Sequence, residues 1–216
     1  SLSTLEAQGG GGFVINGVGA NDKSGYSVSA AGDVNGDGLD DVIIGVDGAD
    51  PNGTNTGASY VVFGTESTDA IELSTLETEG GGGFVINGVD ASDYSGISVS
   101  AAGDVNGDGL DDVIIGAYLA DPNDNVQSGS SYVVFGTDST DAIELSTLEA
   151  EGGGGFVING AGNSDWSGYS VSGAGDINDD GLDDVIIGAF HADTHLSSSG
   201  ASYVVYGTTA TTAIEL

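Results

Sequence analysis

Asp33-Val34-Asn35-Gly36-Asp37-Gly38-Leu39-Asp40-Asp41 is the stretch on which the reading of this chain turns. It returns almost letter for letter from Asp104 to Asp112, and again from Asp176 to Asp184 as DINDDGLDD. Oxygen-bearing side chains fall at positions 1, 3, 5 and 9. They are Asp33, Asn35, Asp37 and Asp41; then Asp104, Asn106, Asp108 and Asp112; then Asp176, Asn178, Asp180 and Asp184. A hard cation such as Ca²⁺ takes six to eight oxygens, at about 2.3–2.6 Å, from carboxylates, amides and backbone carbonyls. A tight loop aims alternate side chains at one centre, and glycine at position 6 lets the backbone turn beneath it. The position-7 carbonyls of Leu39, Leu110 and Leu182 then point inward as neutral ligands. Asp, Asn and Gly also make plain turns. Three copies at a fixed period, each closing on Asp, favour the metal loop, with three Ca²⁺ per chain. An EF-hand is excluded, because it needs a Glu at position 12 and flanking helices. Position 12 here is Ile44, Ile115 or Ile187, inside an apolar run.

The loops begin at residues 33, 104 and 176, a period of 71 and then 72 residues. Leu2–Glu6 returns at Leu73–Glu77 and Leu145–Glu149, so the repeats run approximately 2–72, 73–144 and 145–215. A fixed period takes precedence over any local reading. The 34 acidic residues stand against a single Lys23 and no arginine. That excludes electrostatic binding to nucleic acid or anionic lipid. Three Ca²⁺ would bring the net charge from −33 to −27. Such a chain remains sensitive to ionic strength through self-repulsion. Disorder does not fit, because the 38% hydrophobic residues lie in runs. The chain has no cysteine, hence no disulfides. No apolar run approaches the ~18 residues of a membrane-spanning helix. The opening inside a repeat, without a signal peptide, reads as a processed or excised segment of something longer.

Each repeat carries the same series. After LSTLE come glycine runs at Gly9–Gly12, Gly80–Gly83 and Gly152–Gly155, read as flexible connectors. A β-branched, glycine-bounded stretch follows at Phe13–Val18, Phe84–Val89 and Phe156–Ala161, and reads as a strand. Alternation at Tyr26–Ala30, Ile97–Ala101 and Tyr169–Gly173 gives another strand, whose small residues suit a crowded place where strands converge. The acidic nonamer is then a hairpin connection. Asp41–Gly45, Asp112–Gly116 and Asp184–Gly188 are continuous apolar runs, expected for strands buried on both faces. Ser59–Gly64, Ser131–Gly136 and Ser202–Gly207 close each unit. No stretch has a convincing helical period, and 40 glycines disfavour long helices. The fold class is all-β. Four antiparallel strands per period, separated by tight turns, describe one blade of a β-propeller.

In order, Gly-Tyr-Ser-Val-Ser, the nonamer with Asp-Val-Ile-Ile-Gly, and Tyr-Val-Val-Phe-Gly resemble the FG-GAP repeats of integrin α-chain propellers and their bacterial relatives. The resemblance covers all three repeats. It implies calcium in the hairpin between the first and second strands of each blade. Departures exist: Ser24, Ser95 and Ser167 precede the glycine where the family has Phe, and Gly45-Val46 stands where the other copies have Gly-Ala. Asp179 replaces the glycine of Gly36 and Gly107, which strains the loop or adds charge beside the ion.

Three blades are too few for a ring, since propellers have four to eight. The resemblance implies that FVING is the outermost strand of the preceding blade. The second and third copies then complete blades one and two. Blade three lacks an outer strand, and the first copy at 13–18 is spare. Two chains exchanging these parts would close a six-bladed homodimer with two-fold symmetry. A piece of a longer propeller, or a larger ring or open array, are the other readings. Seven blades, the integrin number, cannot come from whole copies.

Candidate ligand positions lie where the repeats differ. Lys23, Tyr94 and Trp166 occupy equivalent places before the first strand, and Tyr118 opens the variable loop after the second. Exposed Tyr94, Tyr118 and Trp166 could stack on a glycan or anchor a protein; ordinary surface variation is the alternative. His191 and His195 flank Asp193 in a serine-rich loop, a poor setting for zinc. Asn52-Gly53-Thr54 is a short glycosylation sequon. With no cysteine nucleophile and no Ser-His-Asp arrangement, catalysis is not expected. The sequence reads as a calcium-binding propeller module, extracellular or at the cell surface, that scaffolds protein–protein or cell adhesion. A carbohydrate-binding propeller, or the non-catalytic part of a larger secreted hydrolase or lyase, is the alternative.

Overall fold

The β-branched runs and the tight turns between them form strands in all three repeats. The computed structural model describes residues 12–76, 82–149, 154–193 and 197–216. In chain order the elements are β1 (Ile15–Asn16), β2 (Ser27–Gly32), β3 (Asp41–Val46), β4 (Ala58–Val62), β5 (Ile71–Glu72), α1 (Leu73–Leu76), β6 (Gly83–Asn87), β7 (Ser98–Gly103), β8 (Asp112–Ala117), β9 (Ser130–Val134), β10 (Ile143–Glu144), α2 (Leu145–Glu149), β11 (Gly155–Asn159), β12 (Ser167–Gly175), β13 (Asp184–Ala189), β14 (Ala201–Val205) and β15 (Ile214–Glu215).

Blade one is β2-β3-β4-β6 and blade two is β7-β8-β9-β11, each antiparallel throughout. The FVING copies at 83–87 and 155–159 do complete the preceding blades. Blade three has β12-β13-β14, and among the described residues β14 has no outer neighbour. The first FVING copy contributes β1, which among the described residues pairs only with β5. The first three glycines of the first run, and the first two of the second and third, lie outside the described residues. At the last glycine of the second and third runs, flexibility is not the role: a Cβ on Gly83 or Gly155 would overlap the carbonyl of Val61 or Val133 on the adjacent strand.

Two features exceed the sequence reading. The Ile-Glu dipeptides form a fifth, parallel strand that reaches back to the previous blade: β10 joins β6, and β15 joins β11. A two-residue strand is too short for alternation to reveal. LSTL also folds into single helical turns, α1 and α2, where no helix is expected. Their leucines decide this: Leu73 and Leu76 pack under blade one, while Leu145 and Leu148 sit in the core between blades one and two. Among the described residues no helix is long and apolar enough to cross a membrane.

The inner strands β2, β7 and β12 lie against one another across successive blades. Small residues permit this approach. The Val99 N–H donates to Ser27 Oγ and the Val171 N–H to Ser98 Oγ, each at 3.1 Å. The core sits between blades, with Ile43, Val61 and Phe84 facing Val99 and Val113, and Ile114, Val133 and Phe156 facing Val171 and Val185.

Candidate metal loops and an opposing aromatic face

Each acidic nonamer joins the first strand of a blade to the second, so all three lie at the same end of their blades. In the first loop the Asp33 carboxylate accepts from the N–H groups of Asp37 (3.0 Å) and Gly38 (3.0 Å). Asn35 Oδ1 accepts from the Asp37 N–H (2.8 Å), and Asp37 Oδ1 from the Leu39 N–H (2.8 Å). The Asn35 amide donates to Asp37 Oδ2 (3.1 Å). The pattern recurs with Asp104, Asn106, Asp108 and Leu110. It recurs once more with Asp176, Asn178, Asp180 and Leu182. Positions 1, 3 and 5 are therefore drawn over one turn in every copy.

The position-9 residues behave differently. Asp41, Asp112 and Asp184 are buried, and each bridges two backbone donors. Asp41 accepts from the N–H groups of Val34 (2.9 Å) and Gly64 (2.7 Å). Asp112 accepts from Val105 and Gly136, and Asp184 from Ile177 and Gly207. Position 9 thus ties the loop to the end of the third strand, a structural duty the spacing does not reveal. Burial, then the carboxylates of Asp108 and Asp104, push Asp112 up to about 7 against its two hydrogen bonds. Burial, with Asp37 and Asp33, raises Asp41 likewise. In each of these two loops the neighbouring carboxylates oppose ionisation of the buried position-9 acid. Among the described residues no group of three or more His, Cys, Asp or Glu is already arranged to hold a metal ion. The reason is visible in the loops, where the carboxylates turn onto their own backbone N–H groups. The donors are all oxygen, and that chemistry fits a hard cation.

Asp179 adopts φ +61°, against +75° at Gly36 and +78° at Gly107. The left-handed turn survives the replacement, since Asp tolerates that region better than most residues.

The candidate ligand residues lie at the opposite ends of the strands. Strands of six residues at ~3.3 Å each separate the two faces by about 20 Å. Tyr94, Tyr118 and Trp166 do come together, with ring centroids 6.1 Å apart for Tyr94–Tyr118 and 5.8 Å for Tyr118–Trp166. They are half-buried rather than exposed, because they pack on one another. Sequence comparison of the repeats missed Tyr169, Phe190 and His191 as members. Tyr169 lies 5.3 Å from Tyr118, Phe190 lies 4.8 Å from Tyr169, and His191 stacks on Trp166 at 4.2 Å. Aromatic residues at strand starts and ends signalled them only once the blades were side by side. Burial, then Tyr94, Tyr169 and Asp47, raises the Tyr118 pKa. Lys23 differs from its aromatic counterparts by pairing with the buried Asp47 at 3.3 Å. His195 lies outside the described residues. Asn52 is half-engaged already, its amide donating to the Gly88 carbonyl and to Glu144.

The FG-GAP repeat family model matches residues 24–62, 95–134 and 167–205, which together make up more than half of the chain. Integrin alpha pat-2 of Caenorhabditis briggsae is 30% identical over 189 residues, covering 86% of this chain and 14% of that protein. Integrin alpha pat-2 of Caenorhabditis elegans is 34% identical over 174 residues, 77% of this chain and 13% of its own length. Integrin alpha-5 of Xenopus laevis is 30% identical over 185 residues, 82% of this chain and 15% of its own. The chain thus spans about one-seventh of the length of these curated relatives.

Proposed function

Because the chain belongs to the FG-GAP repeat family, we propose that it is a calcium-stabilised half-propeller that scaffolds adhesive, protein–protein contacts outside the cell. The observation that carries this reading is the threefold acidic loop, in which buried Asp112 and Asp41 are pushed up by burial and by their own neighbours. A bound cation offsets both effects. Asp33, Asn35, Asp37 and Asp41 would hold the first ion with the Leu39 carbonyl. Asp104, Asn106, Asp108, Asp112 and Leu110 would hold the second, and Asp176, Asn178, Asp180, Asp184 and Leu182 the third. The ion supplies neutralisation and cross-linking of the loop; it is structural, and the chain carries no catalysis of its own. The integrin alpha relatives support the adhesive role and a location at the cell surface. Isothermal titration with Ca²⁺ tests it: three sites are expected, and no heat or a stoichiometry near zero would reject the reading.

The half-buried cluster of Tyr94, Tyr118 and Trp166 supports a ligand face on the other side, for a protein loop or a glycan. Glycan-array binding lost in Trp166→Ala would favour the carbohydrate-binding alternative over protein adhesion.

Among the described residues β14 has no outer neighbour and the β1–β5 pair no inner one, which supports a homodimer of two half-propellers. Light scattering tests it directly, with twice the 21.1 kDa chain mass expected in calcium.

A further inference from the structure

We infer that the two end blades of this chain carry the two halves of one inter-blade joint, and that a second copy fills it through Asp40 and blade three. This inference rests on the homodimer reading above and names the surfaces that make it.

The two internal joints are alike in atomic detail. The Asp33 N–H donates to Asp111 Oδ2 at 2.8 Å, and the Asp111 N–H returns to the Asp33 carbonyl at 3.1 Å. One blade on, the Asp104 N–H donates to Asp183 Oδ2 at 3.1 Å, and the Asp183 N–H to the Asp104 carbonyl at 3.0 Å. The acid at position 8 of each loop thus clasps position 1 of the blade before it. Asp40 is the position-8 acid of blade one, and it has no such partner among the described residues. Asp176 is the position-1 residue of blade three, and no position-8 acid clasps it there.

Glycines record the same vacancy from the other side. A Cβ on Gly32 would overlap the Asp111 side chain, and one on Gly103 the Asp183 side chain. At the equivalent Gly175 nothing lies within 4 Å. Likewise a Cβ on Gly45 or Gly116 would overlap the carbonyl of Gly96 or Gly168 in the next blade. At Gly188 the nearest atom is the blade's own Ser170, at 3.6 Å. Gly175 and Gly188 are spaces shaped for a following blade.

The apolar faces agree. Val28 is 66% exposed where Val99 and Val171 are 5% and 6%. Val204 is 44% exposed where Val61 and Val133 are 0%. Val28 and Val42 show the receiving half of a joint, and Ile186 and Val204 the giving half. Continuity with two built interfaces is what commits the occupant to a blade of this same chain.

The outer edge fixes the register. Blade one pairs Ala58 with Asn87 and Tyr60 with Val85. Transferring that register pairs Ala201 with Asn16 and Tyr203 with Val14 of the second copy. The inserted unit is then the whole β1–β5 pair, held by the Asn16 amide on Glu72 (2.6 Å), as Asn87 is held on Glu144 (2.7 Å). One mismatch exists. Leu110 and Leu182 lie against Gly36 and Gly107, so Leu39 of the second copy would meet Asp179 and its side chain must turn aside.

Mass in solution over a concentration series in calcium tests the joint, using the full chain, Gly188→Ala and Val204→Asp. The wild-type chain is expected at twice 21.1 kDa. Gly188→Ala places its methyl in ordinary van der Waals contact with Ser170 at 3.6 Å within one chain, so its circular dichroism should stay wild-type while its dimer dissociation constant rises at least tenfold. Val204→Asp should be monomeric. A wild-type dimer that neither change weakens overturns this joint and leaves the homodimer standing. A wild-type monomer at every concentration overturns both.

Discussion

Asp112 and Asp41 hold the same place in successive loops, yet among the described residues only blade two has a blade packed on each side. Burial is accordingly the first cause at both, and it drives Asp112 as far as about 7. The folded protein therefore keeps protons that the unfolded chain releases above about 3.8. Without metal, stability should fall as pH rises from about 4 to about 7. The growing net charge acts in the same direction. Thermal melts in chelator should give a higher Tm at pH 5 than at pH 7.5. Saturating calcium, which holds the ionised forms, should remove or invert that order. Asp108→Ala or Asp37→Ala removes one of the proposed calcium ligands. Each should lower Tm in calcium by about 5 °C or more, taking roughly 2–3 kcal/mol for a site filled to ~100 times its dissociation constant. An unchanged Tm would count against a metal at that loop.

At the scale of elements, glycine and leucine carry more of the fold than the acidic loops. Gly116 sits on β8 where blade three brings the Gly168 carbonyl against it. Gly116→Ala must push the two blades apart, and a loss of several kcal/mol in chemical denaturation is expected. Gly188→Ala, at the same strand position one blade on, should be tolerated by the single chain. Leu148 of α2 is fully buried between blades one and two. Leu148→Ala should cost about 2–5 kcal/mol, as cavity-forming changes in cores do; a loss below ~1 kcal/mol would show that α2 is not part of the core. These single turns exist because their leucines are buried against the blades, not because LSTLE favours helix. Tertiary burial outweighs propensity over so few residues.

For the whole molecule, charge and metal act together. Joining two chains of net charge −33 works against Coulomb repulsion. Screening at ~0.1 M salt shortens its reach to about 10 Å. The dimer fraction should rise with ionic strength at constant calcium, and sedimentation velocity in 20 mM and 300 mM salt would show it. If three extracellular-type sites are filled, they contribute roughly 8 kcal/mol together. That is comparable to the net stability of a domain, on the order of 5–15 kcal/mol. Chelation should therefore separate the chains and lower the melting temperature sharply, leaving a folded but marginal chain.

By itself the sequence determined the repeat, the all-β class, the four strand segments of each repeat and the acidic loops that join two of them. Those features are local: they rest on alternation, glycine turns and the spacing of Asp33, Asn35, Asp37 and Asp41, and each copy confirms the others. Only the tertiary structure decided the rest. The Ile-Glu strands, the buried clasp of Asp41 onto Val34 and Gly64, and the meeting of Tyr118 with Trp166 and Tyr169 join residues far apart in the chain. The same is true of Asp111 on Asp33. Such contacts are set by how one blade stacks on the next. No single repeat holds both sides of them.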